Sequence, residues 1–495
     1  MCYEHDPDFV LSRFRAGEFD YLDTASEVVE TEFFRFLGAQ GTLAALAACY
    51  PSPRLKQEVP TWFFLASNLS MRLHGSHSFH AYPYVVRCGG MLNAFGPELG
   101  HKATHPESGD VTLSCAGFNR KNHYDRQTPC DSDFLRKLAK DTDPEQLEAW
   151  FNRDAAQLLH QQGAFDREGI FIGDASYVFV PDNPRYERSV RLLFDEHDHP
   201  VAAARLAGLT PQQAARCRWR RCYKLVSLLH TDRQRSCFLR VAARLLPGNV
   251  HECPVFYELL DEFVQAVGAG VVRRLLLDRG FLDGARIADV KQHHGIDVLI
   301  PLRHDMTLYQ DALGLMALPE VVFRPYQPPA RAPLEAPRLP QAPPAVRRRE
   351  QRRQQTLKAR AAAAAAASPV PHVVRSEVAG LADFRSWSSC PLPLSVIINR
   401  ERDDDGQEQI WMLLDTQPLC SAEDPARRRD EYALRTEIEE GHRQLKCFWD
   451  LADFTSRRFS LVLNQVLFVL LAYNLLQLYL LQQDRPELTR RTRPR

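Results

Sequence analysis

YALRTEIEEGHRQLK, residues 432–446, lies inside a charged stretch from residue 424 to residue 454 that predicts one long helix. Counted from Tyr432, the residues Arg435, Glu439 and Lys446 follow at offsets of 3, 7 and 14. At about 100° per residue, these offsets correspond to roughly 300°, 340° and 320° around a helix. The four side chains are therefore expected to share one narrow face, with a carboxylate between two cations.

A carboxylate flanked by cations suits a site that holds metal ions and phosphate together. Glu439 would coordinate metal, Arg435 and Lys446 would neutralise phosphate oxygens, and Tyr432 would stack or donate a hydrogen bond. The alternative for this spacing is an ordinary solvated helix face with ion pairs. Glu437 and Glu440 point roughly 200° and 100° away from Glu439, so neither can replace it on this face.

Two aspartates end short apolar runs, which are typical of buried strands. Asp174 ends the run GIFIGD, and Asp278 ends the run RLLLD. An aspartate at the end of a strand commonly serves only as a cap or turn residue. If the two strands lie side by side, however, both carboxylates reach the same edge of a sheet. A helix that supplies a third carboxylate would complete a site for two hard divalent cations.

The pattern around these acids predicts a mixed α/β core. Residues 166–312 are predicted to contain a strand, two strands joined by a short polar turn, a helix, a strand, a helix and a strand. Residues 394–482 are predicted to add two strands, the charged helix and an apolar helix. The full domain prediction begins with a helical accessory domain at 1–165, which would bind DNA ends. The core would consist of the segments 166–312 and 394–482. Between them lies an insertion at 313–393, whose low-complexity part 325–372 is predicted to be extended and mobile, and a basic tail follows at 483–495.

The pattern Tyr-x2-Arg-x3-Glu-x6-Lys resembles the signature of a large family of bacterial insertion-sequence transposases in the DDE superfamily. The segments GDASY and LLLDRGFLDG resemble the first and second acidic motifs of that family. The segment ARLLPGNVHECPVFYELL resembles its third strand and the turn that follows. The resemblance covers about 168–312 and about 394–480.

This resemblance implies a ribonuclease-H-like fold, with a mixed five-stranded sheet flanked by helices and an insertion between the second Asp and the Glu. It implies two Mg²⁺ or Mn²⁺ ions. The acids assigned to catalysis and to metal binding are Asp174, Asp278 and Glu439. The residues assigned to contacts with DNA are Tyr432, Arg435, Lys446, Arg279 and His442.

The function expected from the resemblance is hydrolysis at the ends of a DNA element, followed by attack of the freed 3′-OH on target DNA. Double-stranded DNA is the expected partner, a homodimer the expected assembly on DNA, and the bacterial cytoplasm near the nucleoid the expected location. Two alternatives stay open. One is a related nuclease, or a decayed copy, that does not join strands. The other is a non-enzymatic DNA-binding or membrane protein.

Bulk composition alone does not indicate a nucleic-acid partner, because 62 basic residues balance 62 acidic ones. The distribution is more informative. Residues 346–360 and the C-terminal tail are basic, and Arg347, Arg348 and Arg349 would attract phosphate in a salt-sensitive way. The 12 cysteines show no regular spacing, and the N-terminus lacks the pattern of a secretory signal. We therefore expect reduced thiols in the cytoplasm.

Three further features have alternative interpretations. The uncharged stretch 459–481 is long enough to cross a membrane, but four Asn and Gln residues interrupt it and favour a buried core helix. The histidines His74, His77 and His80 could bind metal, and His77 and His80 could instead contact DNA phosphates. A zinc site could in principle form from Cys217, Cys222, Cys237, His251 and Cys253, although the spacing fits no clean zinc pattern.

Overall fold

The protein is described here by a computed structural model. The residues that it describes are 12, 15–17, 27–56, 58–87, 90–95, 102–104, 107–108, 111–113, 118, 129–202, 206, 208–329, 355, 373–485 and 488–489. The predictions of a mobile segment at 325–372, of phosphate attraction by Arg347–Arg349 and of a basic tail fall mostly or wholly outside these residues.

The described helices are α1 (Glu27–Ala39), α2 (Thr42–Cys49), α3 (Thr61–Leu73), α4 (Tyr82–Arg87), α5 (Gly90–Phe95), α6 (Ser132–Asp141), α7 (Pro144–Ala149), α8 (Ala156–Gln161), α9 (Pro211–Arg216), α10 (Glu252–Val267), α11 (Gly284–His294), α12 (Thr307–Leu315), α13 (Asp424–Tyr432), α14 (Glu437–Cys447) and α15 (Phe459–Gln482). The described strands are β1 (Lys102–Thr104), β2 (Val111–Leu113), β3 (Ile170–Val180), β4 (Val190–Phe194), β5 (Arg218–His230), β6 (Leu239–Pro247), β7 (Arg274–Leu276), β8 (Asp297–Pro301), β9 (Arg324–Pro325), β10 (Val373–Phe384), β11 (Leu394–Asp403) and β12 (Glu408–Asp415).

The chain divides into two compact units. The first unit consists of Met1–Val272, Glu437–Asp484 and Arg490–Arg495, and the second consists of Arg273–Thr436 and Arg485–Thr489. The mixed α/β character predicted from the sequence is confirmed, and each of the five predicted core strands is present as β3, β5, β6, β7 or β8. The domain limits predicted from the sequence stay a prediction.

In the first unit, the long strand β5 organises the sheet. It pairs antiparallel with β3 along one edge, and with β4 and β6 along successive parts of its length. In this register Asp174 on β3 lies opposite Ser227 on β5. The strand β4 and the helix α9 were not predicted, because residues 185–222 contain many charged and turn-forming residues that weaken the alternating pattern of a strand.

The apolar helix α15 is the core helix of the first unit. Its most apolar window is 94% buried, which confirms the prediction of a buried core helix for residues 459–481. Two of its polar side chains bond to the backbone of β6 or of Phe238, the residue directly before that strand. Asn474 accepts from the Arg240 N–H at 2.8 Å and donates to the Arg240 carbonyl at 2.6 Å, while Gln477 accepts from the Phe238 N–H at 3.3 Å. Asn474 and Gln477, two of the amides that interrupt the apolar run, therefore satisfy backbone groups.

Replacing Asn474 with leucine should lower the free energy of unfolding by about 2 kcal/mol or more, because a buried N–H and a buried carbonyl both lose their side-chain partner. Asn464 provides a matched control on the same helix, since its buried amide atoms have no hydrogen-bond partner among the described residues. The variant Asn464→Leu should be neutral or stabilising. Urea unfolding of both variants tests this, and equal stability losses would contradict it.

The N-terminal helices of the first unit differ from the prediction in one respect. The apolar pattern of residues 27–50 predicts a single helix, but this stretch forms α1 and α2 with a break at Gly41. Gly41 has a φ of +66°, in the left-handed region that glycine adopts without strain. Its position directly before α2 therefore marks the break that the apolar periodicity alone does not show.

The second unit contains a six-stranded sheet with the order β7-β8-β12-β11-β10-β9. The pair β7–β8 is parallel, and the other pairs are antiparallel. The strand β10 lies in the segment that was predicted to be an insertion and was not predicted as a strand. The exposed residues at its start, such as Val373 and Val374, explain why its pattern is weak.

Candidate active site

In the first unit, Asp174 is held by a histidine of α14. The Asp174 residue is 8% exposed, and its Oδ2 lies 2.6 Å from Nε2 of His442. The other ring nitrogen of His442, Nδ1, lies 3.2 Å from Nη2 of Arg240. A guanidinium can only donate, so Nδ1 must accept and Nε2 must carry the proton that it donates to Asp174. This geometry assigns one tautomer to His442.

The charges around His442 keep its ring neutral. Burial, together with the positive charge of Arg240, lowers the pKa of His442 to about 4, although Asp174 acts in the opposite direction. Burial also lowers the pKa of Arg240 to about 10, while the Asp174 charge opposes that shift. At neutral pH the group therefore consists of a guanidinium, a neutral imidazole and a carboxylate.

The helix α14 runs along β3 in the same direction. His442 contacts Asp174, and Nζ of Lys446 lies 2.6 Å from Oγ of Ser176. Four helical residues span about 6 Å and two strand residues span about 6.6 Å, so the two contacts are separated by similar distances along the helix and along the strand. Glu439 precedes His442 by three residues on the same face, where Cβ atoms are about 5–6 Å apart. Glu439 therefore lies on the same face of α14 as His442, which binds Asp174.

The three glutamates of α14 have different surroundings. Glu437 is buried and pairs with Nε of Arg235 at 3.0 Å. Glu440 accepts hydrogen bonds from Arg443 and Gln444. Glu439 is exposed, and no hydrogen bond or ion pair joins it to any described residue. Of these acids, Glu439 is thus the one whose carboxylate is available to a ligand.

In the second unit, Asp278 follows β7 and caps a short 3-10 turn. Its Oδ1 accepts from the Gly280 N–H at 2.7 Å, and its Oδ2 accepts from Nη2 of Arg435 at 3.0 Å. Tyr432 donates its hydroxyl to the Leu277 carbonyl at 3.2 Å. The spacing Tyr-x2-Arg thus brings both side chains to the end of the strand that carries Asp278. Arg279 is exposed beside them in the sequence.

The prediction of one continuous helix from 424 to 454 is wrong. Regular α-helix ends at Tyr432 and begins again at Glu437, with a 3-10 turn at Ala433–Thr436. The Thr436 hydroxyl donates to the Ala433 carbonyl at 2.7 Å, a local bond that competes with the helical pattern. The rotation of about 100° per residue, which places side chains around an α-helix, does not hold across this turn. It applies only within each segment, where it relates Glu439, His442 and Lys446 on α14.

The donor chemistry of the candidate acids fits a hard divalent cation, since Mg²⁺ and Mn²⁺ prefer carboxylate oxygen. Asp174 and Glu439 belong to the first unit, and Asp278 belongs to the second. Among the residues that the structure describes, no group of three or more His, Cys, Asp or Glu side chains is arranged to hold a metal ion.

The alternative metal ligands lie in other environments. His74 bonds to a carboxylate oxygen of Glu30 at 3.0 Å, and His77 is buried against Arg72 at 3.1 Å. Cys222, Cys237 and Cys253 are buried. Burial raises the pKa of Cys222 to about 11, which disfavours the thiolate form that binds zinc.

Sequence reasoning missed Arg240 and misjudged the surroundings of His442. His442 was assigned to DNA, whereas in the structure it binds Asp174, and a role in DNA contact stays a prediction. The available signal was the presence of two arginines, Arg240 and Arg244, in the apolar run CFLRVAARLL. A charged residue in a buried strand is rarely there without a partner.

A comparison with known protein families found a match for this chain. The family described as "Transposase DDE domain" matches residues 186–475. This match covers more than half of the chain, and the protein therefore belongs to the transposase DDE domain family. The matched region includes Asp278 and Glu439 and begins after Asp174. No curated protein matches the chain.

Proposed function

We propose that the protein is a transposase that hydrolyses phosphodiester bonds at the ends of a DNA element and joins the freed 3′-OH to target DNA. The observation that carries this proposal is the position of Glu439 on α14, three residues before His442, whose ring binds Asp174. Family membership supports the general activity. The cutting and joining steps are our inference from the acids and the cations beside them.

The three acids Asp174, Asp278 and Glu439 would together hold two Mg²⁺ or Mn²⁺ ions. Bound there, the ions would supply charge neutralisation for the attacking and the leaving oxygen at phosphorus. Only three residues separate Arg435, which binds Asp278, from Glu439 in the sequence. This spacing supports a common role for the three acids.

The protein's own side chains would bind and orient DNA. Arg435 binds Asp278, and Lys446 binds Ser176, which follows Asp174 by two residues on β3. We assign them to phosphate oxygens of the DNA strand, and we assign Tyr432, Arg279 and His442 to supporting contacts. These cations would reduce the repulsion between a phosphate and the carboxylates.

Two element ends must be brought together before they are joined, so we propose that a homodimer acts on double-stranded DNA. Residues 1–165 and 313–393 would recognise the ends. The basic segment with Arg347, Arg348 and Arg349 would add non-specific attraction that weakens with salt. The expected location is the bacterial cytoplasm, at the nucleoid.

Labelled duplexes that span both ends of the encoding element, incubated with the full chain, Mg²⁺ and target plasmid, test the proposed function. Cleavage at the ends together with labelled plasmid supports a transposase. Cleavage without labelled plasmid favours the second candidate, a ribonuclease-H-like nuclease. If neither product forms with Mg²⁺ or Mn²⁺ although the ends are bound, the chain is a DNA-binding protein derived from a transposase.

A further inference from the structure

Arg240 is a buried cation without a direct counter-ion. Arg240 lies on β6 and is 0% exposed. Among the described residues, no carboxylate lies within ion-pair distance of its side chain. Burying an unpaired charge is costly, so such a group needs a compensating role. Arg244 on the same strand shows the ordinary arrangement, because it pairs with Glu258 and Glu262 at the surface.

The side chain of Arg240 connects the centre of the sheet to Asp174. Nη1 donates to Oγ of Ser227 at 2.6 Å, and Nη2 donates to Nδ1 of His442 at 3.2 Å. His442 in turn donates from Nε2 to Asp174 at 2.6 Å. The direction of each hydrogen bond in this series is fixed, because a guanidinium can only donate hydrogen bonds.

The surrounding structure holds Arg240 in this position. Asn474 binds both the N–H and the carbonyl of the Arg240 backbone. Gly441 lies directly before His442, and a Cβ at that position would stand 3.3 Å from Nη2 of Arg240. The glycine thus lets α14 approach the guanidinium closely. Strand, helix and glycine together set the direction in which the His442 ring points.

We propose that Arg240 is a positioning residue, which fixes the Nε2–H tautomer of His442 and thereby orients the Asp174 carboxylate toward a divalent cation. The part that concerns the cation rests on the proposed function, while the part that concerns the tautomer does not. Hydrogen bonds of this kind to metal-binding carboxylates orient the ligand, and their loss typically costs about 10–100-fold in metal affinity.

The first test is the tautomer of His442 in the metal-free full chain. Long-range ¹H–¹⁵N spectra of protein labelled at histidine report which ring nitrogen is protonated, and the signal is assigned by its loss in His442→Gln. We expect the Nε2–H form in the native protein and in Arg244→Met. In Arg240→Met we expect a mixture with the Nδ1–H form. An unchanged pure Nε2–H signal in Arg240→Met would overturn the proposal.

The second test is the affinity for Mn²⁺, followed by electron paramagnetic resonance of the free ion without any DNA. Arg240→Met should weaken binding by about 10–100-fold, Arg244→Met should not, and Arg240→Lys should recover part of the loss. In a His442→Ala background, Arg240→Met should have little further effect, because Arg240 acts through His442. Additive losses in the double variant would contradict this route.

The two tests separate the two proposals. If Asp174→Asn leaves Mn²⁺ binding and DNA cleavage intact, the proposed function fails, whereas the tautomer result still decides whether Arg240 controls His442. If Arg240→Met does not fold, Arg240→Gln gives the same decision. A glutamine side chain can either donate to Nδ1 or accept from it, so a mixture of tautomers in that variant supports the proposal and a pure Nε2–H signal opposes it.

Discussion

Replacing any one of Asp174, Asp278 and Glu439 with its amide should lower the rate of DNA-end cleavage by at least about 10³-fold, the upper end of the loss seen when one pre-organised electrostatic group is removed. The amide keeps the size of each side chain but removes the negative charge that a metal ion requires. In Asp174→Asn the new side chain would still accept from His442, and in Asp278→Asn it would still accept from the Gly280 N–H, so the fold should persist.

The matched control is Glu440→Gln. Glu440 neighbours Glu439 on α14, but it accepts hydrogen bonds from Arg443 and Gln444 and is expected to be structural. Its variant should keep most of the cleavage activity. Pairs of triad variants should be no slower than the single ones, because residues that act as a unit are not additive. If Glu440→Gln cleaves slowly while Glu439→Gln remains active, the glutamate that cleavage requires is Glu440 and not Glu439.

The strands of both units could be predicted from short apolar runs, since burial on both faces leaves a continuous signal. Asp174 and Asp278 were identifiable because each ends such a run. The strand β10 was not identifiable, because its first residues are exposed and follow a segment rich in proline and alanine. Strand prediction therefore succeeded where burial was complete and failed at partly exposed strands.

The helix that carries Glu439 shows a different limit. Its spacing correctly relates Glu439 to Lys446 within α14, but the 3-10 turn at Ala433–Thr436 depends on one local hydroxyl bond and on the contacts of Tyr432 and Arg435. Periodicity assumes a constant rotation per residue and cannot show where tertiary contacts change it. The role of Arg240 was hidden for a related reason, since its partner His442 lies 202 residues away in the sequence.

The second unit also contains a buried cluster of charged residues, and we expect a large loss of stability when this cluster is disrupted. Arg274 binds Asp415 through two hydrogen bonds of 2.6 and 2.8 Å and binds Glu431 through Nε at 2.7 Å. Asp415 is fully buried. Burial alone would lower the pKa of Arg274, but Asp415 and Glu431 more than reverse this and hold it above its ordinary value. The cluster connects β7 and β12 with α13, whose last residue is Tyr432.

Replacing Arg274 with methionine should therefore destabilise the second unit by about 3–5 kcal/mol, because two buried carboxylates would lose the arginine that pairs with both of them. Hydrogen exchange of peptides from residues 273–301 and 408–432 measures the loss in this unit alone. Removing the stranded charges as well, in Arg274→Met with Asp415→Asn and Glu431→Gln, should restore part of the protection.

An exposed arginine of the same unit is the reference for this experiment. Arg402 pairs with Glu408 at 3.4 Å, and both side chains are largely in solvent, so Arg402→Met should cost no more than about 1 kcal/mol. Because Arg274 precedes Asp278 by four residues and Glu431 adjoins Tyr432, the Arg274 variant should also slow cleavage, whereas the Arg402 variant should not. Equal hydrogen exchange in the two variants would show that the cluster does not stabilise this unit.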